Sequence, residues 1–141
     1  MLVFASIATV VAQRADPDGW PTYNGDYSGR RFSPLEQITA SNVTALTLAW
    51  QYRIGDVSQQ RGVGEPTIKS TPLMVNGVVY FTIPDHVYAL DARTGEQIWQ
   101  YAWEDKGGHL VGQRGVGIYK DYLYFLSPDG WFISLDAKDG K

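Results

Sequence analysis

The sequence predicts an all-β protein built from repeated antiparallel sheets. Short runs of β-branched and aromatic residues, tight turns between those runs, and the recurrence of the whole pattern after about 45 residues all indicate this class. The clearest copy of the pattern is Ser70–Trp99. Fifteen glycines, five tryptophans and nine tyrosines among 141 residues are typical of tightly turned sheets with aromatic cores.

The first copy contains four predicted strands. Leu73–Val75 precedes Asn76-Gly77, a dipeptide that favours a type I′ hairpin turn because both central residues of that turn need positive φ. The remaining strands and breaks follow in the order Val78–Thr82, Pro84-Asp85, Val87–Leu90, Asp91–Gly95 and Gln97–Tyr101. Four short antiparallel strands of this kind form a sheet the size of one propeller blade.

The second copy repeats these elements. Leu90–Gly95 returns as Leu135–Gly140, 45 residues later, and Tyr80-Phe81 returns as Tyr124-Phe125, 44 residues later. The strands predicted for this copy are Gly117–Tyr119, Tyr122–Leu126 and Trp131–Leu135. Because each blade of a propeller buries its faces only against its neighbours, a strand repeat of this period predicts a β-propeller.

Two blades cannot close a ring, since propellers contain roughly four to eight. We therefore expect about two four-stranded blades plus an N-terminal segment, forming the N-terminal, incomplete part of a larger propeller. One wide apolar sheet face should remain open in this part. Trp99 is expected to dock one blade onto the next, and Asp91 and Asp136 are expected to cap turns through their carboxylates.

The first twelve residues, Met1–Ala12, are apolar and end in a sequence that resembles a signal-peptidase site, although the usual basic start is missing. A truncated secretion signal is one interpretation, and a buried strand or a short membrane anchor is the other. Twelve residues are too few for a membrane-spanning helix, which needs about 20. We therefore expect export, with residues 13–141 as the mature propeller part.

The segment between this leader and the first copy shows three patterns. Asp16–Pro34 combines turn-forming residues with aromatics, which predicts an ordered irregular stretch held by its aromatic side chains. Leu35–Leu46 is predicted to form one or two helical turns, with Ser41-Asn42 as the N-cap. Leu48–Ile54 alternates in polarity and is predicted to be a strand, the outermost of a blade completed elsewhere.

The composition and motifs of the chain argue against several classes of function. The net charge of −3 gives no basic surface for nucleic acid. The chain has no cysteine, so it contains no disulfide and no thiolate metal site. No glycine-rich loop joins a strand to a helix, so the sequence does not support nicotinamide binding.

Several motifs together resemble the N-terminal region of the pyrroloquinoline-quinone (PQQ) dependent dehydrogenases, the quinoprotein alcohol dehydrogenase family. They are Trp20–Asp26, Arg31–Leu35, Ile38–Val43, Leu48–Trp50, Thr71–Leu73, Ala89–Trp99 and Gln113–Val116, and the likeness covers nearly all of Asp18–Gly140. The resemblance implies an eight-bladed propeller with PQQ on its axis and a Ca²⁺ or lanthanide ion beside it. It further implies a periplasmic enzyme that oxidises a small alcohol or sugar by hydride transfer and passes electrons to a cytochrome or quinone; it leaves membrane association open.

The resemblance also carries four residues over as cofactor contacts. Arg114 matches an arginine that bonds the quinone oxygens, a task suited to its fixed fork of donors. Lys69 stands where many members have a glutamate, and here it would meet a PQQ carboxylate. Gly108 and His109 stand where several members have adjacent cysteines stacked on the cofactor, so His109 would stack or bond there.

Each of these residues has a structural alternative: a loop-holding arginine, a solvated lysine, a structural histidine and a turn glycine. His86 is predicted to be a surface loop residue. The family's metal ligands and catalytic base lie outside this chain, so no catalytic residue and no metal ligand is assigned here. The alternative function is a non-catalytic PQQ-repeat propeller that serves as a protein-binding assembly scaffold.

Overall fold

The computed structural model describes residues 19–55, 68–104, 106 and 114–141. Regular structure in these ranges consists of one 3₁₀ turn and seven strands. The turn is Val43–Ala45, and the strands are β1 (Leu73–Val75), β2 (Val78–Ile83), β3 (His86–Asp91), β4 (Gln97–Ala102), β5 (Gly117–Tyr119), β6 (Tyr122–Leu126) and β7 (Phe132–Asp136). Among the described residues, no helix has the length and apolar character needed to cross a membrane.

The first sheet is an antiparallel meander in the order β1-β2-β3-β4. Its first turn has the conformation that the sequence predicts, with φ of 52° at Asn76 and 77° at Gly77. Val75 pairs with Val78 across that turn, which sets the register of the hairpin. All four strands predicted for this copy are confirmed, each to within one residue of its predicted bounds.

The second sheet has the order β5-β6-β7 and is also antiparallel. It contains the three strands that the sequence predicts for this copy, so the two sheets have four and three strands, in agreement with the expected partial propeller. At the 45-residue period, a counterpart of Gln97–Ala102 would occupy positions beyond 141. The three strands that are present confirm the repeat.

The two sheets pack face to face. Their shared core contains Leu73, Tyr80, Val87, Ala89 and Trp99 from the first sheet and its ends, and Val116, Leu123, Phe125 and Leu135 from the second. The other face of the first sheet buries a second cluster, Phe81, Ile83, Tyr88 and Leu90, beneath Trp50, Tyr52 and Ile54. The first sheet is therefore covered on both faces, which is the layered arrangement of successive propeller blades.

Two tryptophans dock these layers in the same way. The indole N–H of Trp50 donates to the carbonyl of Ala92 at 3.1 Å, and that of Trp99 donates to the carbonyl of Ala137 at 3.1 Å. The acceptors are 45 residues apart, at equal places in the two copies. The docking role predicted for Trp99 is confirmed.

Carboxylates close the turns beneath these indoles, as predicted. Asp91 Oδ1 accepts the amide N–H groups of Arg93 and Thr94 at 2.8 and 2.9 Å. Asp136 Oδ1 accepts the amide N–H of Lys138 at 2.7 Å. The hydrogen bonds from Thr94 and Arg93 hold the pKa of Asp91 below its ordinary value.

The far face of the second sheet is apolar and open. Its exposed members are Tyr119, Tyr122, Leu126 and Phe132, and Phe132 is 72% exposed. Tyr124 lies on this face, stacked on Phe132 with ring centroids 5.7 Å apart. Tyr124 is the repeat counterpart of Tyr80, which packs between the two sheets. The open face thus corresponds to the face with which the first sheet covers the second.

Three expectations for the segment before the first sheet need correction. Leu48–Ile54 alternates as predicted, with Trp50 and Tyr52 turned to the first sheet, but no strand forms there because no described neighbour pairs with its backbone. The 3₁₀ turn at 43–45 is present, yet the side chain of Asn42 accepts from the Thr39 amide at 2.7 Å and does not cap the turn.

The aromatics of Asp16–Pro34 also differ from the expectation. Residues 16–18 lie outside the described ranges, and among the rest only Trp20 is tied to a sheet, through a bridge to Met74. Tyr27 is 96% exposed and Phe32 is 69% exposed. These two side chains do not hold the segment, because they contribute little buried apolar area.

Candidate functional site

The candidate site lies at one end of both sheets, which we call the Arg114 end. Here β1 and β5 begin, and the β2–β3 and β6–β7 turns lie beside them. Ser70 joins the segment before β1 to the end of β2, because its hydroxyl donates to the carbonyl of Thr82 at 2.9 Å and accepts from the Thr82 amide at 3.2 Å. The hairpin turns at 76–77 and 120–121 lie at the opposite end, which we call the hairpin end.

The main chain of Arg114 is held between the two sheets. The amide of Thr71, just before β1, donates to the carbonyl of Arg114 at 3.3 Å. Gly115 follows with φ of 122°, and a Cβ there would lie 3.2 Å from the carbonyl oxygen of Thr71. Val116 is buried in the core between the sheets. Glycine therefore allows the close backbone approach that brings Arg114 beside the start of β1.

Lys69 lies on the chain segment that approaches Arg114. It precedes Thr71 by two residues, and both Lys69 and Arg114 are exposed. Within the described ranges, neither side chain forms an ion pair. Two exposed cations without an ion pair among the described residues, on adjoining connections, suit an anionic ligand at this end. The other two predicted contacts, Gly108 and His109, lie outside the described residues.

One buried polar atom at this end lacks a partner. Thr82 is 1% exposed, and its hydroxyl has no hydrogen-bond partner among the described residues. It shares a strand face with Tyr80, which packs toward the second sheet. A buried hydroxyl without a partner is uncommon in folded proteins, so it marks this part of the interface between the sheets as incompletely satisfied.

His86 is not the surface loop residue that the sequence predicts. It begins β3, its side chain is 18% exposed, and its Nδ1 lies 2.5 Å from Oδ1 of Asp85. The ring also stacks on Tyr88, with centroids 6.0 Å apart. His86 pairs with Ala102 of β4, so it is the first residue of a paired strand. The sequence did not indicate this, because Pro84-Asp85 alone does not show where the turn ends and the strand begins.

Asp129 is a feature of the Arg114 end that the sequence analysis missed. It lies in the β6–β7 turn, and its carboxylate bonds the indole N–H of Trp103 at 2.8 Å and the amide of Lys106 at 2.9 Å. Both partners belong to the connection between the sheets. The available signal was the repeat itself, because Asp129 is the counterpart of Asp85, 44 residues earlier.

The hairpin end carries a different feature. A cleft of about 590 Å³ lies between the sheets there, beside Tyr80, Trp99, Lys120 and Tyr122. Neither Lys69 nor Arg114, the two predicted cofactor residues that the structure describes, lines it. Among the residues that the structure describes, no group of three or more His, Asp or Glu side chains could hold a metal ion.

The sequence of the chain was compared with family profiles and with known proteins, and it matches one family over most of its length. Residues 20–141 match the profile described as "PQQ: Glucose/ethanol/alcohol dehydrogenase, beta-propeller domain". The chain belongs to this family. It is 39% identical over 129 residues to a 1-butanol dehydrogenase (cytochrome c) from Thauera butanivorans, covering 86% of this chain and 18% of that protein.

Two further relatives, one matched by sequence and one by structure, support the same family. The chain is 40% identical over 132 residues to the dehydrogenase subunit of an alcohol dehydrogenase (quinone) from Gluconobacter oxydans, covering 89% of this chain and 16% of that protein. It superimposes on a europium-containing methanol dehydrogenase with a TM-score of 0.72 and 29% identity, covering 89% of this chain and 22% of that one. The chain therefore spans about a fifth of the length of these relatives. The matched family domain is a β-propeller, which confirms the predicted fold class.

The residues at the Arg114 end fit the cofactor for which the family is named. PQQ is a planar orthoquinone that carries carboxylate groups, so its site needs cationic donors and close backbone approach. Arg114 and Lys69 supply two positive charges, and Gly115 allows the approach. Thr82 adds a buried hydroxyl without a partner among the described residues. Neither cation forms an ion pair with a described residue, so both charges are available to an anionic ligand.

Proposed function

We propose that this chain is the N-terminal portion of a periplasmic PQQ-dependent dehydrogenase that oxidises an alcohol or sugar. The family membership supports the reaction class, and the named relatives act on alcohols. The observation that carries the proposal is the hydrogen bond between Thr71 and Arg114, because it brings two unpaired cations to one end of the interface between the sheets.

Arg114 is proposed to bind the cofactor through its quinone oxygens. Its guanidinium presents a planar fork of donors, which suits two neighbouring carbonyl oxygens. Lys69 is proposed to neutralise a cofactor carboxylate as a point charge. When bound, PQQ supplies the quinone that accepts the hydride of the substrate. Gly108 and His109 remain proposed contacts on the connection before Arg114.

The metal and the electron acceptor are proposed from the family. Ca²⁺ or a lanthanide would be held by residues outside this chain and would act as a Lewis acid on the quinone. One structural relative is a europium-containing enzyme, which supports a lanthanide as one choice. A cytochrome or a quinone would receive the electrons, as the names of the two relatives indicate for those proteins.

The proposal is tested by reconstitution of the full-length protein. Apo protein is mixed with PQQ and either Ca²⁺ or a lanthanide, desalted, and measured for retained cofactor and for dye-linked oxidation of alcohols and sugars. Arg114→Ala should weaken retention, and Lys69→Ala should do so to a smaller extent. Arg93→Ala and Lys138→Ala are matched controls, because these cations lie in exposed turns at the hairpin end.

The outcomes separate the candidate functions. Retention that falls for the Arg114 and Lys69 variants but not for the controls supports the assigned contacts. Retention that is equal in all four variants refutes those contacts. A wild-type protein that takes up no PQQ with any metal would leave the assembly-scaffold propeller as the function. Export is tested separately by sequencing the N-terminus of the protein recovered from the periplasm, where the proposal expects residues 1–12 to be absent.

A further inference from the structure

A serine side chain continues the pairing of β2 beyond the start of β1. The pair of these strands that lies nearest the Arg114 end is Leu73 with Tyr80. In an antiparallel ladder, the pairs that exchange both backbone hydrogen bonds recur at every second residue, so the next such pair would be Thr71 with Thr82. The ladder ends before that pair. Instead, the Ser70 hydroxyl donates to the carbonyl of Thr82 at 2.9 Å and accepts from its amide at 3.2 Å.

The Thr71 amide, which would belong to that pair, binds the second sheet. It donates to the carbonyl of Arg114 at 3.3 Å. In a continued ladder the same N–H would point at the carbonyl of Thr82, where the Ser70 hydroxyl donates instead. Because one N–H cannot point at both carbonyls, the bonds of Ser70 and the bond between Thr71 and Arg114 are parts of one arrangement.

The backbone of residues 69–71 is confined on two sides. The half-buried Ser70 side chain holds it to the end of β2. On the other side, a Cβ at Gly115 would lie 3.2 Å from the carbonyl oxygen of Thr71 and 3.6 Å from Cβ of Ser70. Lys69 directly precedes Ser70, so the same contacts restrict the backbone from which the lysine side chain projects.

Ser70 and Arg114 occupy equal places in the two copies of the repeat. Arg114 lies 44 residues after Ser70, and each stands three residues before the first strand of its sheet, β1 or β5. The first copy has a short hydroxyl at this place, which bonds the neighbouring strand. The second copy has a long, exposed cation. The serine therefore fixes the backbone against which the arginine of the next sheet is bonded.

We propose that Ser70 is a positioning residue for PQQ, whose hydroxyl fixes the segment that carries Lys69 and bonds Arg114. This inference rests on the proposed function. Ser70 does not touch the cofactor in this proposal. It acts on Lys69 as its chain neighbour and on Arg114 through the amide of Thr71. A segment already held in one conformation loses less entropy when its cations bind an anionic ligand, so the hydroxyl should increase affinity for PQQ.

The test is Ser70→Ala in the full-length protein, with the dissociation constant for PQQ measured on folded protein only. Alanine removes both hydrogen bonds to Thr82 and releases the segment. We expect the dissociation constant to rise by about tenfold, which is near the upper limit for one net hydrogen bond. Ser33→Ala is the matched control, because the Ser33 hydroxyl also accepts from a backbone amide, that of Leu35 at 3.3 Å, in the segment before the first sheet. The control should bind PQQ as the wild type does.

Three further measurements separate positioning from general instability. Turnover per bound PQQ should stay at the wild-type value, because Ser70 touches no reacting atom. Ser70→Thr keeps the hydroxyl and should restore most of the affinity. In an Arg114→Ala or a Lys69→Ala background, Ser70→Ala should cost a smaller factor in affinity, because one of the cations through which it acts is missing. If Ser70→Ala does not fold, Ser70→Cys keeps a weak donor and acceptor and should weaken PQQ binding in the same direction.

The results that overturn the inference are distinct from those that overturn the proposed function. Wild-type affinity in Ser70→Ala, or in Ser70→Cys where only that variant folds, refutes the positioning role while leaving PQQ binding intact. An equal loss of affinity in the wild-type, Lys69→Ala and Arg114→Ala backgrounds refutes it as well, because Ser70 would then act by another route. A wild-type protein that binds no PQQ defeats the proposed function and this inference together.

Discussion

Replacing Gly95 by alanine tests the docking of one layer onto the next. Gly95 has φ of 73°, and a Cβ there would lie 2.5 Å from Cε3 and 2.6 Å from Cδ2 of Trp50. The indole of Trp50 is held in place by its hydrogen bond to Ala92. The substitution therefore imposes backbone strain and forces the ring away from its docking position.

The magnitude follows from two separable costs. An alanine in the left-handed region costs about 1–2 kcal/mol of stability. Overpacking against a fixed ring costs a further 1–3 kcal/mol, roughly. Gly77→Ala is the matched control, because its φ is 77° and nothing lies within 4 Å of its would-be Cβ. Gly95→Ala should therefore lower the free energy of unfolding by about 2–5 kcal/mol, and Gly77→Ala should lower it only by the strain cost of about 1–2 kcal/mol.

The assay is a urea titration in which unfolding is monitored by circular dichroism. This signal is chosen so that the removal of Trp50 in the variant below does not alter it. A double-mutant cycle with Trp50→Ala isolates the ring contact. In that background Gly95→Ala should cost no more than Gly77→Ala does. Equal losses for Gly95→Ala and Gly77→Ala in the wild-type background would refute the docking argument, and so would an excess loss that survives removal of the indole.

Three other substitutions test the packing and the titrating groups. Phe125→Ala removes a fully buried ring from the core between the sheets and should cost about 3–5 kcal/mol in the same titration, whereas a loss below about 1 kcal/mol would place the ring outside the core. Burial, then Tyr52 and Asp85, raise the pKa of Tyr88 to about 12 from 10.0, so its stabilising effect is complete below pH 10 and is lost as the pH rises toward 12. Tyr88→Phe should therefore reduce the alkaline loss of stability, and an unchanged alkaline profile would contradict this. The lowered pKa of Asp91 means that its carboxylate stabilises the fold above about pH 4 and loses that effect as the pH falls further. Asp91→Asn should be less stable at pH 7 with a smaller loss on acidification, and an acid profile parallel to the wild type would count against the turn-capping role.

The strands could be predicted because their physical causes are local. Asn76-Gly77 fixes the register of a hairpin through its positive φ values, and the alternation of β6 assigns each side chain to a face. The repeat then carried these assignments from one copy to the other. Trp99 could be assigned as a docking residue for the same reason, since its partner Ala137 lies in a motif that recurs.

Other features depend on neighbours that the sequence does not name. Leu48–Ile54 has the alternation of a strand, but strand formation requires a backbone partner, and none is present among the described residues. His86 was assigned to a loop because it follows Pro84-Asp85, but the turn contains only these two residues and β3 already begins at His86. The repeat marks Asp129 as the counterpart of Asp85, but it does not identify the partners of Asp129, Trp103 and Lys106, which lie in the connection between the two copies.

The placement of Arg114 shows how far core packing determines the candidate site. Arg114 stands two residues before Val116, whose side chain is buried between the sheets, and its carbonyl is bonded to Thr71. Thr71 in turn stands two residues before Leu73, which belongs to the same core. The main chain at position 114 is therefore fixed by the packing of two sheets, although the side chain itself is exposed. A residue fixed in this way loses little backbone entropy when it binds a ligand, because that entropy was already lost in folding. This is the physical ground for expecting Arg114 to contribute more to cofactor retention than Lys69, which has no backbone hydrogen bond to the second sheet among those described.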